Sequence, residues 1–333
     1  MRLGQGGGIC EAYALGKLRA VRLRAEKERA DPHMNAASSL LRFFLDAGIR
    51  RRRPPLIASF KLTYRCNLAC RGCPFHSRAG RKHAHMDFFT ARRCLDVLRD
   101  LGCRIVIFEG GEPLLWKDGE YSFRDLVHLA RRSFLCVGAT TNGTLPLDAP
   151  TDVLWVSIDG LKATHDDLRS GSYDRVISNI RSSRHPKLFV HYTLNSRNFR
   201  EFPAAVDALC SLERVRGITV QLFYPYGQGE ENLRLSPEER REALATAAKL
   251  RRLGYPILNS SWSLRAMIHN RWRCRDWLLA NVEPDGTIFT GCYVKNRGAI
   301  RCPECGFTPI AEASGALGHR PGSLIAGWKL FLS

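Results

Sequence analysis

Leu56-Ile57-Ala58-Ser59-Phe60-Lys61-Leu62-Thr63-Tyr64-Arg65-Cys66-Asn67-Leu68-Ala69-Cys70-Arg71-Gly72-Cys73-Pro74-Phe75 decides the reading of this chain. Its first part, 56–64, is a mostly apolar run of the length of a buried strand. Directly after it come three thiols, Cys66, Cys70 and Cys73. A short loop can wrap such thiols around a cube of iron and sulfide, because thiolate is the preferred ligand of iron in these clusters. Three ligands leave one iron open to a further molecule, whereas a structural zinc site is closed by four. The position agrees with that chemistry, since ligand sites in parallel α/β sheets lie at the carboxyl ends of strands.

Downstream, strand and helix patterns alternate. Period-two or continuous apolar runs predict strands over 104–108, 135–141, 153–158, 187–194 and 217–223. Helical periodicity covers 88–101, 122–132, 173–184, 202–212 and 237–253. The last of these is the best marked: Ser236 and Glu239 form a capping box, Pro237 takes the first helical position and Gly254 follows the end. Six strands separated by helices predict an α/β fold, a parallel sheet curled into a partial (β/α)6 TIM-like barrel. Residues 54–258 are assigned to this barrel. Residues 259–333, richer in Cys, Gly and Pro, are read as a small C-terminal metal-binding extension.

Residues 1–53 form a basic N-terminal segment with 12 basic and 5 acidic side chains. Its first 33 residues lack the apolar mass to hold a fold and are expected to be disordered. Met34 is as good a start codon as Met1. Over 37–45, Leu40, Leu41, Phe44 and Leu45 recur at helical spacing, which predicts an amphipathic helix packed on the outside or bottom of the barrel. The full 333 residues carry a net charge of +19, which would draw the protein toward phosphates, anionic lipid head groups or an acidic partner. Seven of the 12 cysteines fall into two spaced groups, which points to metal binding in a reducing compartment and not to a disulfide scaffold. Cys10, Cys94, Cys103, Cys136 and Cys210 stand alone and read as small buried residues or an inert thiol. With no secretory signal and no apolar run of the ~18 residues that a membrane span needs, the expected location is cytoplasmic. A peripheral membrane contact through the basic N-terminal region is a further expectation.

The C-x3-C-x2-C spacing after a first strand resembles the signature of the radical S-adenosylmethionine superfamily. The resemblance implies a 4Fe-4S cluster on Cys66, Cys70 and Cys73. Its open iron would chelate the amine and carboxylate of S-adenosylmethionine, and an electron from the cluster would cleave the cofactor to a 5'-deoxyadenosyl radical that abstracts hydrogen from a substrate. Gly72 departs from the family, which usually has an aromatic residue there; Phe75 is the candidate substitute against adenine. Glu109-Gly110-Gly111-Glu112-Pro113, at the end of the second strand, is similar to the family's GGE motif, so Gly110, Gly111 and Glu112 are assigned to the cofactor's ammonium. Thr140-Thr141-Asn142-Gly143 and Ser157-Ile158-Asp159-Gly160, with His165 to Arg169 beyond, are similar to family positions that meet the ribose and the methionine carboxylate. Asn142, Ser157 and Arg169 are the candidates among them, Arg169 because a guanidinium grips a carboxylate bidentately. His191, Thr193, Asn195 and Gln221 would line the substrate cavity if they point inward, although satisfied core hydrogen bonds explain each of them as well.

Cys274, Cys292, Cys302 and Cys305 make a second group of four, a full coordination sphere for zinc or for an auxiliary 4Fe-4S cluster. The stretch 282–289 resembles the small hairpin of SPASM and twitch extensions, but the gap from Gly286 to Cys292 is one residue longer than usual. The order of Asn259-Ser260-Ser261, Cys274, Cys302-Pro303-Glu304-Cys305 and a helical tail through Trp328 is also similar to radical enzymes that build hopanoid lipids. The expected substrate is therefore a peptide or an isoprenoid or other lipid, and the expected electron donor a flavodoxin or ferredoxin. The rival from another class is a zinc-stabilised nucleic-acid-binding protein, which would use the charge and both cysteine groups but leaves the glycine-rich strand ends unexplained.

Overall fold

The computed structural model describes residues 36–50, 52–75, 84–227 and 230–332. Residues 1–33, expected to be disordered, and with them Cys10 and Met34, lie outside the described residues. The described chain begins with α1 (Ala36–Phe44), which a π turn over Leu45–Ile49 extends. The barrel then follows as β1 (Ile57–Thr63), α2 (Phe88–Asp100), β2 (Ile105–Gly110), a small hairpin of β3 (Lys117–Asp118) and β4 (Tyr121–Ser122), α3 (Phe123–Arg131), β5 (Cys136–Thr141) and β6 (Val153–Ser157). It continues through α4 (Lys162–Leu168), α5 (Tyr173–Ser182), β7 (Leu188–Leu194), α6 (Phe202–Cys210), β8 (Val215–Leu222) and α7 (Pro237–Arg252). The extension contributes α8 (Ser261–His269), β9 (Leu279–Val282), β10 (Ile288–Thr290), α9 (Thr308–Leu317) and α10 (Pro321–Phe331).

One sheet runs in the order β10-β9-β1-β2-β5-β6-β7-β8, every pairing parallel except β10 on β9. The six expected barrel strands are all present, each within about two residues of its predicted ends. Two more come from the extension: Ile57 pairs with Leu279 and Phe60 with Val282, so β9 lengthens the barrel sheet along the free edge of β1. Four residues in a Gly- and Pro-rich stretch give too short a pattern for that strand to be read from sequence. Helix α9 touches β8 on one side and the turn before β9 (Asp276–Leu278) on the other, covering the gap between the two sheet edges.

Local chemistry explains the elements. All seven residues of β1 are buried, as expected for a parallel strand covered on both faces. Helix α2 starts where the Asp87 carboxylate accepts the Thr90 N–H at 2.8 Å, and it turns Ala91, Cys94, Leu95 and Leu98 onto the sheet. In α7 the capping box is made: Ser236 Oγ accepts from Glu239 N–H, and the Glu239 carboxylate accepts from Ser236 N–H. Of the lone cysteines, Cys94, Cys103 and Cys136 are buried and Cys210 is exposed.

Lys61 is the exception on β1, a lysine with no exposed surface. Its ammonium lies 3.6 Å from Glu109 and 3.9 Å from Glu283, donates to Asn281 Oδ1 at 3.2 Å and sits over the Tyr293 ring. Burial, helped by the nearby Arg297 and opposed by Glu109 and Glu283, lowers its pKa to about 7. The unfolded chain therefore holds this proton to higher pH than the folded one, so the lysine's burial costs least above its unfolded value of about 10.5 and most below about 7.

Two outcomes follow. Replacing Ser236 by Ala should lower stability to urea by about 1 kcal/mol, because one N–H of the first turn loses its acceptor. The melting temperature of the native chain should rise relative to that of Lys61→Met as pH is taken from 7 to 10; parallel curves would contradict the buried-charge reading.

Candidate active site

Inside the barrel, each inward ladder changes character along its strand. On β1 the lumen receives Ile57 and then Ser59; on β2 Ile105 and Ile107, then Glu109; on β6 Trp155, then Ser157, with Asp159 just beyond. A cavity of about 550 Å³ results, apolar at the amino ends of the strands and polar at the carboxyl ends. That is a ligand-sized space where an ordinary barrel would be filled by side chains.

Cys66, Cys70 and Cys73 lie on the loop after β1 and all three line the upper end of this cavity. Backbone ties set the loop: Arg71 N–H donates to Leu168 C=O at 2.9 Å, Ala69 N–H to Ser170 Oγ at 3.0 Å, and the Arg71 side chain pairs with Asp167 at 2.8 Å. The thiols are close enough to act on one another. Burial raises the pKa of Cys70; Arg169 then lowers it and Cys73 raises it. Burial likewise raises Cys66, with smaller upward pushes from Glu112 and Cys70. A bound cation would reverse this balance, since a coordinating thiol is deprotonated outright. Among the described residues no three Cys, His, Asp or Glu side chains stand in a ready metal-holding arrangement, so the thiols share a loop and a field without converging on one point. Three thiols and no hard oxygen ligand nevertheless make a donor set that suits iron and sulfide.

Gly110 and Gly111 both line the cavity, and each is there because nothing larger fits. Gly110 has φ +125°, and a Cβ on Gly111 would collide with the Arg65 carbonyl. Gly111 N–H donates to Thr63 C=O at 2.7 Å and Glu112 N–H to Arg65 C=O at 2.9 Å, pinning the β2 end to the cysteine loop. Glu112 itself faces away from the cavity. It is fully buried and accepts from Thr141 Oγ1 (2.8 Å), Asn142 N–H (2.7 Å) and Leu114 N–H (3.0 Å). Burial raises its pKa to about 7 against the pull of those donors. Its place in this structure is that of a brace between the ends of β2 and β5.

Asn142 Nδ2 donates to Asn67 Oδ1 at 2.8 Å and lies 3.6 Å from Cys66 Sγ, while its Oδ1 accepts from Thr144. Arg169 is half-buried and held by Asp159, its Nε donating to Oδ2 at 2.6 Å; the other Asp159 oxygen accepts Thr193 N–H at 2.8 Å. The salt bridge uses Nε, and Arg169 and Ser157 both line the cavity. His165, from the same stretch, is packed away: burial lowers its pKa to about 4, and its ring bonds Ser172 and Asp159 N–H. His191, Thr193, Asn195 and Gln221 all line the cavity. Phe75 also reaches it and stacks on Tyr64 at 5.1 Å.

Sequence reasoning passed over Asp159, quoted within its motif but given no role, and the buried group around Lys61. There Arg297 bonds Glu283 at 2.5 Å and stacks on Tyr293 at 4.2 Å, and Glu283 also accepts from the Tyr64 hydroxyl. A lone lysine within an apolar strand was the available signal.

Cys274, Cys292, Cys302 and Cys305 lie near enough to act on one another. Burial pushes the Cys274 thiol up to about 12, and its three partner cysteines add to the shift, as does Asp276. Arg240 and Asn270 hold the 302–305 turn by donating to its carbonyls. Between this group and the cavity stand Tyr293 and Phe307, stacked at 4.8 Å and both facing the lumen.

The geometry has counterparts among known proteins. The Radical SAM superfamily matches residues 60–209. Fe-coproporphyrin III synthase of Methanosarcina barkeri is 28% identical over 237 residues, covering 66% of this chain and 56% of that protein. Pre-heme d1 synthase of Dinoroseobacter shibae is 29% identical over 202 residues, covering 55% and 47%. The chain thus spans about half the length of these curated relatives. In fold it is similar to Streptococcus suis SuiB bound to the precursor peptide SuiA, with a TM-score of 0.59 at 14% identity, covering 98% of this chain and 79% of that one. With a parallel α/β barrel, three loop cysteines after its first strand and a match that runs from within β1 into α6, residues 60–209 of this chain form a domain of the radical SAM superfamily, a superfamily of enzymes.

Proposed function

We propose that the protein reductively cleaves S-adenosylmethionine to a 5'-deoxyadenosyl radical, used for hydrogen abstraction from, or adenosyl addition to, a substrate in the barrel lumen. The observation that carries this reading is that Cys66, Cys70, Cys73, Gly110, Gly111, Asn142, Ser157 and Arg169 all face one cavity at the carboxyl ends of the strands. When bound, a 4Fe-4S cluster supplies the electron that breaks the sulfur–C5' bond. The three thiolates would hold it and leave one iron for the methionine part. Gly110 and Gly111 let the backbone approach the ammonium closely. Arg169, locked by Asp159 through Nε, would grip the carboxylate with its outer nitrogens and have little orientational freedom left to lose. The Phe75 ring offers a flat face to adenine.

Cys274, Cys292, Cys302 and Cys305 would hold an auxiliary 4Fe-4S cluster or zinc, one full set of four soft ligands. The partly exposed cysteine loop gives a flavodoxin or ferredoxin a short route to deliver an electron. Two substrate classes fit the lumen: a peptide, as carried by SuiB, and an isoprenoid or other lipid, which suits its apolar lower half. Exposed Leu41, Ile49, Leu324 and Trp328 on α1, its π turn and α10, with Arg50 and Arg52 nearby in sequence, support a peripheral membrane contact at that end. Among the described residues no helix is long and apolar enough to cross a membrane.

Serine at positions 66, 70 and 73 together should remove the iron of one cluster and abolish 5'-deoxyadenosine formation with dithionite as reductant; retention of both would end this reading. Arg169→Lys should keep the iron but weaken S-adenosylmethionine binding by roughly tenfold to a hundredfold, measured by equilibrium dialysis, because the bidentate grip is lost.

A further inference from the structure

The lower half of the lumen has a lining that cofactor binding does not explain. Leu56, Ile107, Leu135, Trp155 and Leu279 enclose it from the sheet side, Phe331 lines it from α10, and the largely exposed Trp328 stands at its rim. On its open side, α9 presents Thr308, Pro309, Glu312, Ala313 and Ala316, spaced so that they share one face of the helix. The two alanines leave room where larger side chains would have filled the barrel.

Glu312 is the anomaly. It is 8% exposed and sits in this apolar wall. One carboxylate oxygen is accounted for, accepting Ser260 N–H at 2.6 Å and the Ser263 hydroxyl at the start of α8. The other oxygen is buried and has no hydrogen-bond partner among the described residues. An unmatched buried acceptor is costly, and in a cavity wall it calls for a donor from a ligand.

We propose that the lower lumen binds the hydrocarbon body of an amphiphilic substrate and that the second oxygen of Glu312 accepts a hydrogen bond from its hydroxyl or ammonium group. The inference names the substrate class for the radical chemistry and rests on that reading. Among the described residues the walls supply no cation to the lower half, since Arg71 and Arg169 stand at the upper end, so the buried part of the ligand is neutral or cationic and not an anion. With the chain seated below, the more polar part of the molecule faces Ser157, His191 and Thr193, next to the cofactor positions.

The test uses the full chain with S-adenosylmethionine bound and the fluorophore N-phenyl-1-naphthylamine, which brightens in apolar surroundings. Saturable binding at one site is expected, displaced by 1-dodecanol about tenfold more effectively than by dodecyl methyl ether, which has the chain without the donor. Glu312→Gln should remove most of that preference, and Ala313→Trp should weaken probe binding at least tenfold in a protein whose melting curve reports folding. Should Ala313→Trp not fold, Ala316→Leu makes the same test with less added volume. Absence of a saturable site, equal displacement by alcohol and ether, or probe binding to the folded Ala313→Trp variant as tight as to the native chain would overturn the proposal. Probe binding is read without turnover. A native protein that forms 5'-deoxyadenosine but takes no probe loses only this inference, whereas one that takes the probe and forms none loses the catalytic reading and keeps the chamber.

Discussion

Everything in this protein depends on a lumen that is not filled. A parallel strand sends every second side chain inward, and a barrel of this size normally closes those positions into layers of interlocking aliphatic groups. Here the inward ladders begin with Ile57, Ile105 and Trp155 and end at Ser59, Glu109 and Asp159, so hydrocarbon gives way to hydrogen-bonding groups along a single cavity. The apolar end is held by the hydrophobic effect, which needs only area. The polar end has to be held by specific partners, which is why the strand ends are so densely cross-linked.

Glu112 shows how. A carboxylate without exposed surface would be heavily destabilising on its own, yet its three donors come from the end of β5 and a turn of 3-10 helix, while the glutamate itself follows β2. The cost of burying it is offset only when those segments are all in place, so it acts as a keystone. The glycine pair before it is free to face the cavity because the glutamate does not. Asp159 does the same for Arg169, and the Glu283–Arg297 pair does it for Lys61. Buried charge in this protein is used to fix loops relative to one another.

Much of this was legible in the residues. Alternating strand and helix periodicities gave the barrel, because strands such as 187–194 and helices such as 237–253 carry their own signals. The cysteine loop and the glycine pair were legible because few other roles require those residues at a strand end. The motif assigns Glu112 with the glycines to the cofactor's ammonium, and the three donors that hold it were not legible, since a motif reports that a residue is needed and not which way it points. The pairing of β9 with β1 was invisible: four residues carry little periodicity, and the partner lies far away in the chain. Glu312 was equally silent, because a glutamate in a helix is ordinarily a solvated surface group.

That distant pairing has a consequence for how the protein comes into being. β1 bears the cysteine loop, and its outer edge is covered only by Leu279 to Val282, more than two hundred residues later. During synthesis the strand must wait, its backbone groups unpaired, until nearly the whole chain has left the ribosome. An unpaired strand edge is the kind of surface that invites association with other nascent chains. Assembly is thus ordered in time: the edge of β1 that carries the cysteine loop is closed only after the segment leading to the second thiol group has docked.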